Sequence, residues 1–310
     1  MTLDKKIRIL DFDGSVTAQK GLLSRYDPEI VDLTDIGPQA RFWAVPSVRE
    51  AAARRIPDGE KNRISFLGSG DFHHITEILL ARYDEPMALI HFDFHQDWDS
   101  TCPLLHCGSW VSKALKRANI VKCITLGASA KKMSFFSLQA GDLKLLENDR
   151  LELYPYASEP GTVFLRTVPR NSSCKTKRFP LMTRIAWKEL RDQNLSEFAV
   201  HLVERLPTKK VYVTIDKDCM NAGSALTNWD QGKMTVDHVC DILKVIKERC
   251  DIAGMDITGD YSPVKTGNAL KDIMLRWAHP RGIAASGYSA SAITAVNERT
   301  NLKIIETMLR

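Results

Sequence analysis

The chain of 310 residues is poor in the features that would place it in several broad classes at once. It has no apolar run near the ~18 residues a membrane-crossing helix needs, so no membrane role is expected. No hydrophobic segment of the secretory kind follows Met1. Charge of one sign is scarce too: 43 basic and 38 acidic residues leave a net +5, too mild to argue for a nucleic-acid partner. The seven cysteines are odd in number and scattered, with no close Cys-x-x-Cys pair, which argues against a structural zinc site. Free thiols in a reducing compartment, the cytoplasm, are the expectation. No internal repeat is visible. What is present is a globular composition, 44% hydrophobic and 26% charged, and enough length for a sizeable core.

Apolar runs of strand length alternate with helical patterns. Ile7–Leu10, Arg63–Leu67, Ala88–Phe92, Ile120–Leu126, Thr162–Leu165, Val211–Ile215 and Ile252–Ile257 read as strands. Helical spacing follows at Ile75, Ile78, Leu79 and Tyr83, over Ser109–Ala118 and Phe198–Leu206, and at Val236, Val239, Ile242, Leu243 and Ile246. A short helix at Leu143–Leu146 and a closing helix at Asn301–Leu309 complete the pattern. This alternation predicts an α/β fold, a mostly parallel sheet between helical layers in a single domain spanning residues 1–310. One stretch breaks the rhythm. Residues 158–179 read as a loop rich in Ser, Pro and Thr, in which Arg166, Arg170, Lys175, Lys177 and Arg178 carry five positive charges. It reads as a solvated surface loop or as a site for an acidic partner.

Three polar clusters fall at the carboxyl ends of apolar strands, where parallel sheets bind ligands. The first is Gly68-Ser69-Gly70-Asp71-Phe72-His73-His74-Ile75-Thr76. The second is Asp93-Phe94-His95-Gln96-Asp97, whose acids and imidazole share one face if the strand continues. The third is Thr214-Ile215-Asp216-Lys217-Asp218. Together they offer His73, Asp93, His95, Asp97, Asp216 and Asp218. This oxygen-rich set suits two divalent ions sharing carboxylates and a water, rather than one structural zinc. Such a bridge lowers the pKa of the water, which is hydrolytic chemistry. His91 and Asp99 flank the second cluster, in positions suited to supporting hydrogen bonds.

The order of these clusters resembles the arginase (ureohydrolase) family, with its Gly-Gly-Asp-His-Ser, Asp-Ala-His-x-Asp and Asp-x-Asp signatures. The resemblance runs from about Gly68 to Pro263 and is that of a remote branch. It implies a three-layer α/β/α fold, two Mn²⁺ per chain, and hydrolysis of a guanidino group to urea and an amine. Position by position, it assigns Asp93, His95, Asp97, Asp216 and Asp218 to the metals. It favours His73 over His74 as the further ligand. His106, in His106-Cys107-Gly108, matches the family's proton-shuttling histidine. Asp260, with Asp256 in support, stands near the place of the acid that grips the guanidinium, one position late and one carbon short. The residues that hold the α-amino and α-carboxylate groups of free arginine are not recognisable before His106. Their absence fits arginine embedded in a peptide, as in the family's peptide arginases, which make ornithine. The basic stretch would then meet an acidic leader. Free arginine, agmatine and assembly into a homo-oligomer stay open.

Other readings compete. Ile9-Leu10-Asp11-Phe12-Asp13-Gly14-Ser15 resembles the first motif of haloacid dehalogenase phosphatases, but no later acidic pair accompanies it and the His-rich cluster would go unexplained. A deacetylase-like C–N hydrolase normally keeps one metal held by fewer acids. A degenerate relative would bind metal without turnover.

Overall fold

A computed structural model describes residues 6–58, 62–128, 135–157, 159–279 and 287–310. Thirteen strands are described: β1 (Lys6–Asp11), β2 (Glu29–Asp32), β3 (Trp43–Ala44), β4 (Arg63–Gly68), β5 (Met87–Phe92), β6 (Leu105–His106), β7 (Ile120–Leu126), β8 (Leu151–Tyr154), β9 (Gly161–Phe164), β10 (Cys174–Arg178), β11 (Met182–Trp187), β12 (Lys210–Asp216) and β13 (Asp251–Thr258). Eight of them form one sheet in the order β2-β1-β4-β13-β12-β5-β7-β8. Every pairing in that sheet is parallel. Parallel neighbours need long crossovers, and helices supply them.

Because successive side chains alternate, each strand feeds two cores. Leu10, Leu67, Leu89, Cys123 and Leu153 join one apolar cluster; Ile9, Phe66, Ile90, Ile124 and Val213 join the other. Burial on both faces explains why these strands read as continuous apolar runs. Leu195–Glu204, Val236–Arg249 and Ala290–Leu309 cover the second cluster. The helices around Ala52, Leu79 and Val111 cover the first, together with the inner face of a small sheet.

In that small sheet β9 answers to the expected strand Thr162–Leu165, β10 lies inside the stretch expected as loop, and β11 follows it as a further strand. β9, β10 and β11 pair antiparallel in the order β10-β11-β9, so the basic stretch is partly strand. Inward Val163, Ile185 and Trp187 join the first core, while an outer face that mixes Lys175, Lys177 and Arg184 with Phe164, Met182 and Ala186 hid the period-two pattern. The closing helix is also longer than expected, starting at Ala290 behind the cap Ser289. Its early turns are held by buried polar groups rather than an apolar stripe: Asn297 bonds both the amide and the carbonyl of Leu226. β2, β8 and the helices Pro46–Arg55 and Ala269–Ala278 are further elements that apolar spacing did not reveal. No described helix is long and apolar enough to cross a membrane.

Candidate metal centre

The parallel strands all end on one edge, and β4, β5, β12 and β13 deliver their polar residues there side by side. The ladder around His95 is not strand, however. β5 stops at Phe92, and Asp97 takes a left-handed backbone, φ 50°. Convergence of Asp93, His95 and Asp97 therefore comes from a folded turn, not from alternation. The turn is held by Trp110, whose Nε1 donates to Asp97 Oδ2 at 2.6 Å, and by the Val111 amide on the Asp97 carbonyl.

The structure brings His73, Asp93, His95, Asp97, Asp216 and Asp218 together. His73 Nδ1 lies 3.0 Å from Asp93 Oδ2, 3.4 Å from Asp97 Oδ2 and 3.7 Å from Asp216 Oδ2. His95 Nδ1 lies 2.9 Å from Asp218 Oδ2 and 3.4 Å from Asp93 Oδ1. Two ligand groups result, His73–His91–Asp93–Asp97 and Asp93–His95–Asp218, with Asp93 common to both. His91 donates or accepts at both ring nitrogens, to Asp93 Oδ2 at 2.9 Å and Thr125 Oγ1 at 3.0 Å.

A hydrogen-bond chain fixes the tautomer of His73. Thr214 gives its single hydroxyl proton to Asp256 Oδ1 at 2.6 Å, so its oxygen accepts from His73 Nε2–H at 2.9 Å. Tyr212 completes the chain by donating to Asp256 Oδ2. His73 Nδ1 is then a bare lone pair, buried without a hydrogen-bond partner and facing three carboxylates. Burial pushes the His73 pKa down to about 4, so the ring stays neutral near pH 7. Lone pair against lone pair is unfavourable unless a cation lies between them. The acids tell the same story. Burial, then the neighbouring carboxylates, push Asp97 and Asp216 well up, and burial and Asp93 push Asp218 up to about 7. This donor set of imidazoles and carboxylates fits hard-to-borderline divalent ions.

Two glycines make room for it. A Cβ on Gly70 would stand 2.5 Å from Asp216 Oδ2, and one on Gly259 would stand 2.4 Å from Asp216 Oδ1. Gly259 also has φ 88°, a region that favours glycine.

The cluster opens into a cavity of about 370 Å³ walled by Phe42, Trp98, Trp229 and Trp277. His106 and Asp99 line it, with His106 Nε2 3.6 Å from Asp99 Oδ2. The Gly108 amide donates to His106 Nδ1, so in the neutral ring Nε2 carries the proton. Burial holds the His106 pKa below its ordinary value.

Asp260 and His74 stand apart. The Asp260 carboxylate is enclosed by Lys217 Nζ at 2.9 Å and Gln19 Nε2 at 2.7 Å, with Asn301 beside it, so it faces the protein interior and not the cavity. His74 is also buried and outside both ligand groups. Asp256 is joined to the centre through Thr214. Asp11 caps its own turn, accepting from the Gly14 amide and Thr17, whereas Asp13 accepts from Ser15 in that turn and from the Ser69 amide and Ser262 beyond it. Sequence reasoning passed over Asp230, whose Oδ2 lies 3.3 Å from His95 Nε2, and over Trp110 and Trp229, and it gave Thr214 a place in the third cluster but no role. The pair Trp229-Asp230 in a Gly- and Asn-bearing loop just after Asp218 was the available signal.

An eight-stranded parallel sheet with this acid-rich centre at its carboxyl edge defines an arginase-type α/β/α fold. The chain covers 99% of itself and 98% of an arginase from Bacillus subtilis at TM-score 0.58 and 10% identity. It matches an agmatinase of Burkholderia thailandensis (TM-score 0.53, 16% identity, 98% of this chain and 86% of that one). A Trypanosoma cruzi formiminoglutamase with Mn2+2 matches at TM-score 0.54 and 9% identity, over 100% and 96% of the two chains. In sequence, the chain is 26% identical over 259 residues to an uncharacterized protein of Thermotoga maritima, covering 84% of this chain and 81% of that one. No family model matches.

Proposed function

We propose that the chain is a manganese-dependent hydrolase that cleaves a C–N bond of a guanidino group, releasing urea and an amine. The substrate in this reading is arginine within a peptide, converted to ornithine. The observation that carries it is the carboxylate Asp93, common to two His/Asp ligand groups at the floor of an aromatic-walled cavity.

Two divalent ions bound there would supply Lewis acidity and an activated water. His73, Asp93, Asp97 and Asp216 would hold one and share Asp93 with His95 and Asp218 around the other. Phe42 and Trp229, packed against each other with ring centroids 5.9 Å apart, line the cavity and would give a planar cation an aromatic wall. Asp99 takes the part expected of Asp260: it lines the cavity, outside both ligand groups, and can pair with the guanidinium. His106 would take up the proton that the activated water releases on attack and hand a proton from Nε2 to the departing amine, returning to the neutral ring.

The test is urea release by the Mn²⁺-loaded protein from arginine, agmatine and a short arginine peptide. Release from the peptide, fastest of the three and with a raised KM in Asp99→Asn, is expected. Faster release from free arginine would overturn the peptide reading. No urea from any of them, with two ions bound, would overturn guanidino hydrolysis itself.

A further inference from the structure

The outer face of the small sheet carries an unbalanced charge pattern. Lys177 on β10 stands directly opposite Arg184 on β11, and Lys175 lies two residues along on the same face. All three side chains are exposed, and among the described residues none of them has an acidic partner. Like charges paired across antiparallel strands are destabilising. Lysine on an edge strand can be explained as protection against sheet-to-sheet aggregation. That does not account for Arg184, because β11 is the central strand of the three.

The same face continues into apolar groups. Phe164 pairs with Met182 across β9 and β11, and both are exposed. Leu165 and Leu181 follow, 82% and 64% exposed and joined by a backbone hydrogen bond. This apolar end is fastened to the wall of the cavity. Gln139 donates to the Phe164 carbonyl, and Arg166 binds the carbonyls of Leu138, Gln139 and Gly141. Ala140, inside that span, lines the cavity. On another side of the cavity lining stands Trp277, 88% exposed, on a helix whose Leu270, Ile273 and Met274 also face out.

We propose that the outer face of β9–β11 docks an extended polypeptide segment that combines acidic and apolar residues, and so delivers its substrate chain to the cavity. Acidic side chains would meet Lys175, Lys177 and Arg184, and apolar ones would cover Phe164, Leu165, Leu181 and Met182. Continuity with the cavity wall, through the bonds of Arg166 to the segment that holds Ala140, favours a polypeptide over a lipid surface. The assignment of substrate delivery rests on the peptide-hydrolase reading above; the docking itself does not.

Binding is therefore read without turnover, as fluorescence anisotropy of a labelled peptide of alternating Glu and Leu that contains no arginine. Saturable binding that weakens with salt is expected. Lys177→Glu with Arg184→Glu should weaken it about tenfold or more, Lys177→Gln with Arg184→Gln by less, and Asp93→Ala not at all. Equal melting midpoints of wild type and the Gln pair show that the fold is kept. Equal affinity in the reversed variant, absence of binding, or capture by anionic lipid vesicles without capture of the peptide would each overturn docking. In parallel, urea is followed from arginine peptides with and without the Glu-rich stretch. Equal KM for the two would overturn delivery, whereas no urea from either would sink the hydrolase reading and leave the anisotropy result standing.

Discussion

Two sets of buried carboxylates sit on the same edge of the sheet and are treated in opposite ways. Asp71 and Asp260 are each met by cations of the protein. Arg41 Nη1 lies 2.7 Å and His279 Nε2 2.9 Å from Asp71, and Lys217 lies 2.9 Å from Asp260. Burial works to raise the Asp71 pKa, but Arg41 and His279 outweigh it and hold the group at about 2. Asp97 and Asp216 receive no arginine or lysine of the described residues and Asp218 meets only His95, whose pKa that carboxylate holds well up, yet the pKa values of all three acids are driven up. The difference shows which charges the fold neutralises itself and which it leaves for a ligand from outside.

The largest break in that contrast is Asp93→Ala. It removes the carboxylate common to both ligand groups, so Mn²⁺ content after loading should fall from two ions per chain to none. Retention of one full ion would show that the two groups are independent.

Asp71→Asn strikes the neutralised set instead. It leaves Arg41 and His279 facing a neutral amide in a buried site, a loss of about 3–5 kcal/mol in denaturant unfolding at neutral pH. The pH dependence has a definite sign. A carboxyl whose pKa is lowered by folding stabilises above its ordinary value near 3.8, and that stability is lost as pH falls towards 2. The variant should lack this acid limb; an unchanged limb would show that the Arg41 pair contributes nothing.

Thr214→Val cuts the chain from Asp256 to His73 without removing a ligand. Divalent affinity should drop about 10- to 100-fold while the fold survives, read by isothermal titration. Unaltered affinity would mean that the imidazole needs no help in choosing its tautomer.

Asp218→Asn gives the smallest effect and the sharpest sign. In metal-free protein it relieves a carboxylate that folding disfavours, and should stabilise by about 1 kcal/mol at neutral pH. With Mn²⁺ present the order should reverse, because a ligand is lost. Destabilisation under both conditions would contradict the picture of an uncompensated acid.

Much of this was open to reading from the chain alone. The strands at Ile7–Leu10, Arg63–Leu67, Ala88–Phe92 and Val211–Ile215 announce themselves because burial on both faces demands unbroken apolar runs. The acids that follow them announce a site because a parallel sheet gathers its strand ends. Less was open where polar contacts do the holding. β10 looks like loop because its outer residues are charged, β11 sets Met182, Arg184 and Ala186 on its outer face without a clean polar pattern, and the turns of Ala290–Leu309 that precede Asn301 are tied down by Asn297 instead of leucines. Sequence put His73, Asp93, His95, Asp97, Asp216 and Asp218 in one neighbourhood by their place after strands. It could not see that Asp97 needs a left-handed turn and an indole to point inward.

Asp260 marks the boundary between the two kinds of knowledge. Its motif, a glycine before an acid at a strand end, is set by local sequence, and so is the strand that carries it there. What the carboxylate faces is set by Gln19, Lys217 and Asn301, which lie 241, 43 and 41 residues away along the chain and arrive only through packing. Local sequence determined where the strands end and which acids gather at their edge, because apolar periodicity and strand termination are short-range properties. Tertiary structure decided which of those acids keep a protein cation and which await a metal, because charge compensation acts through space between residues remote in sequence.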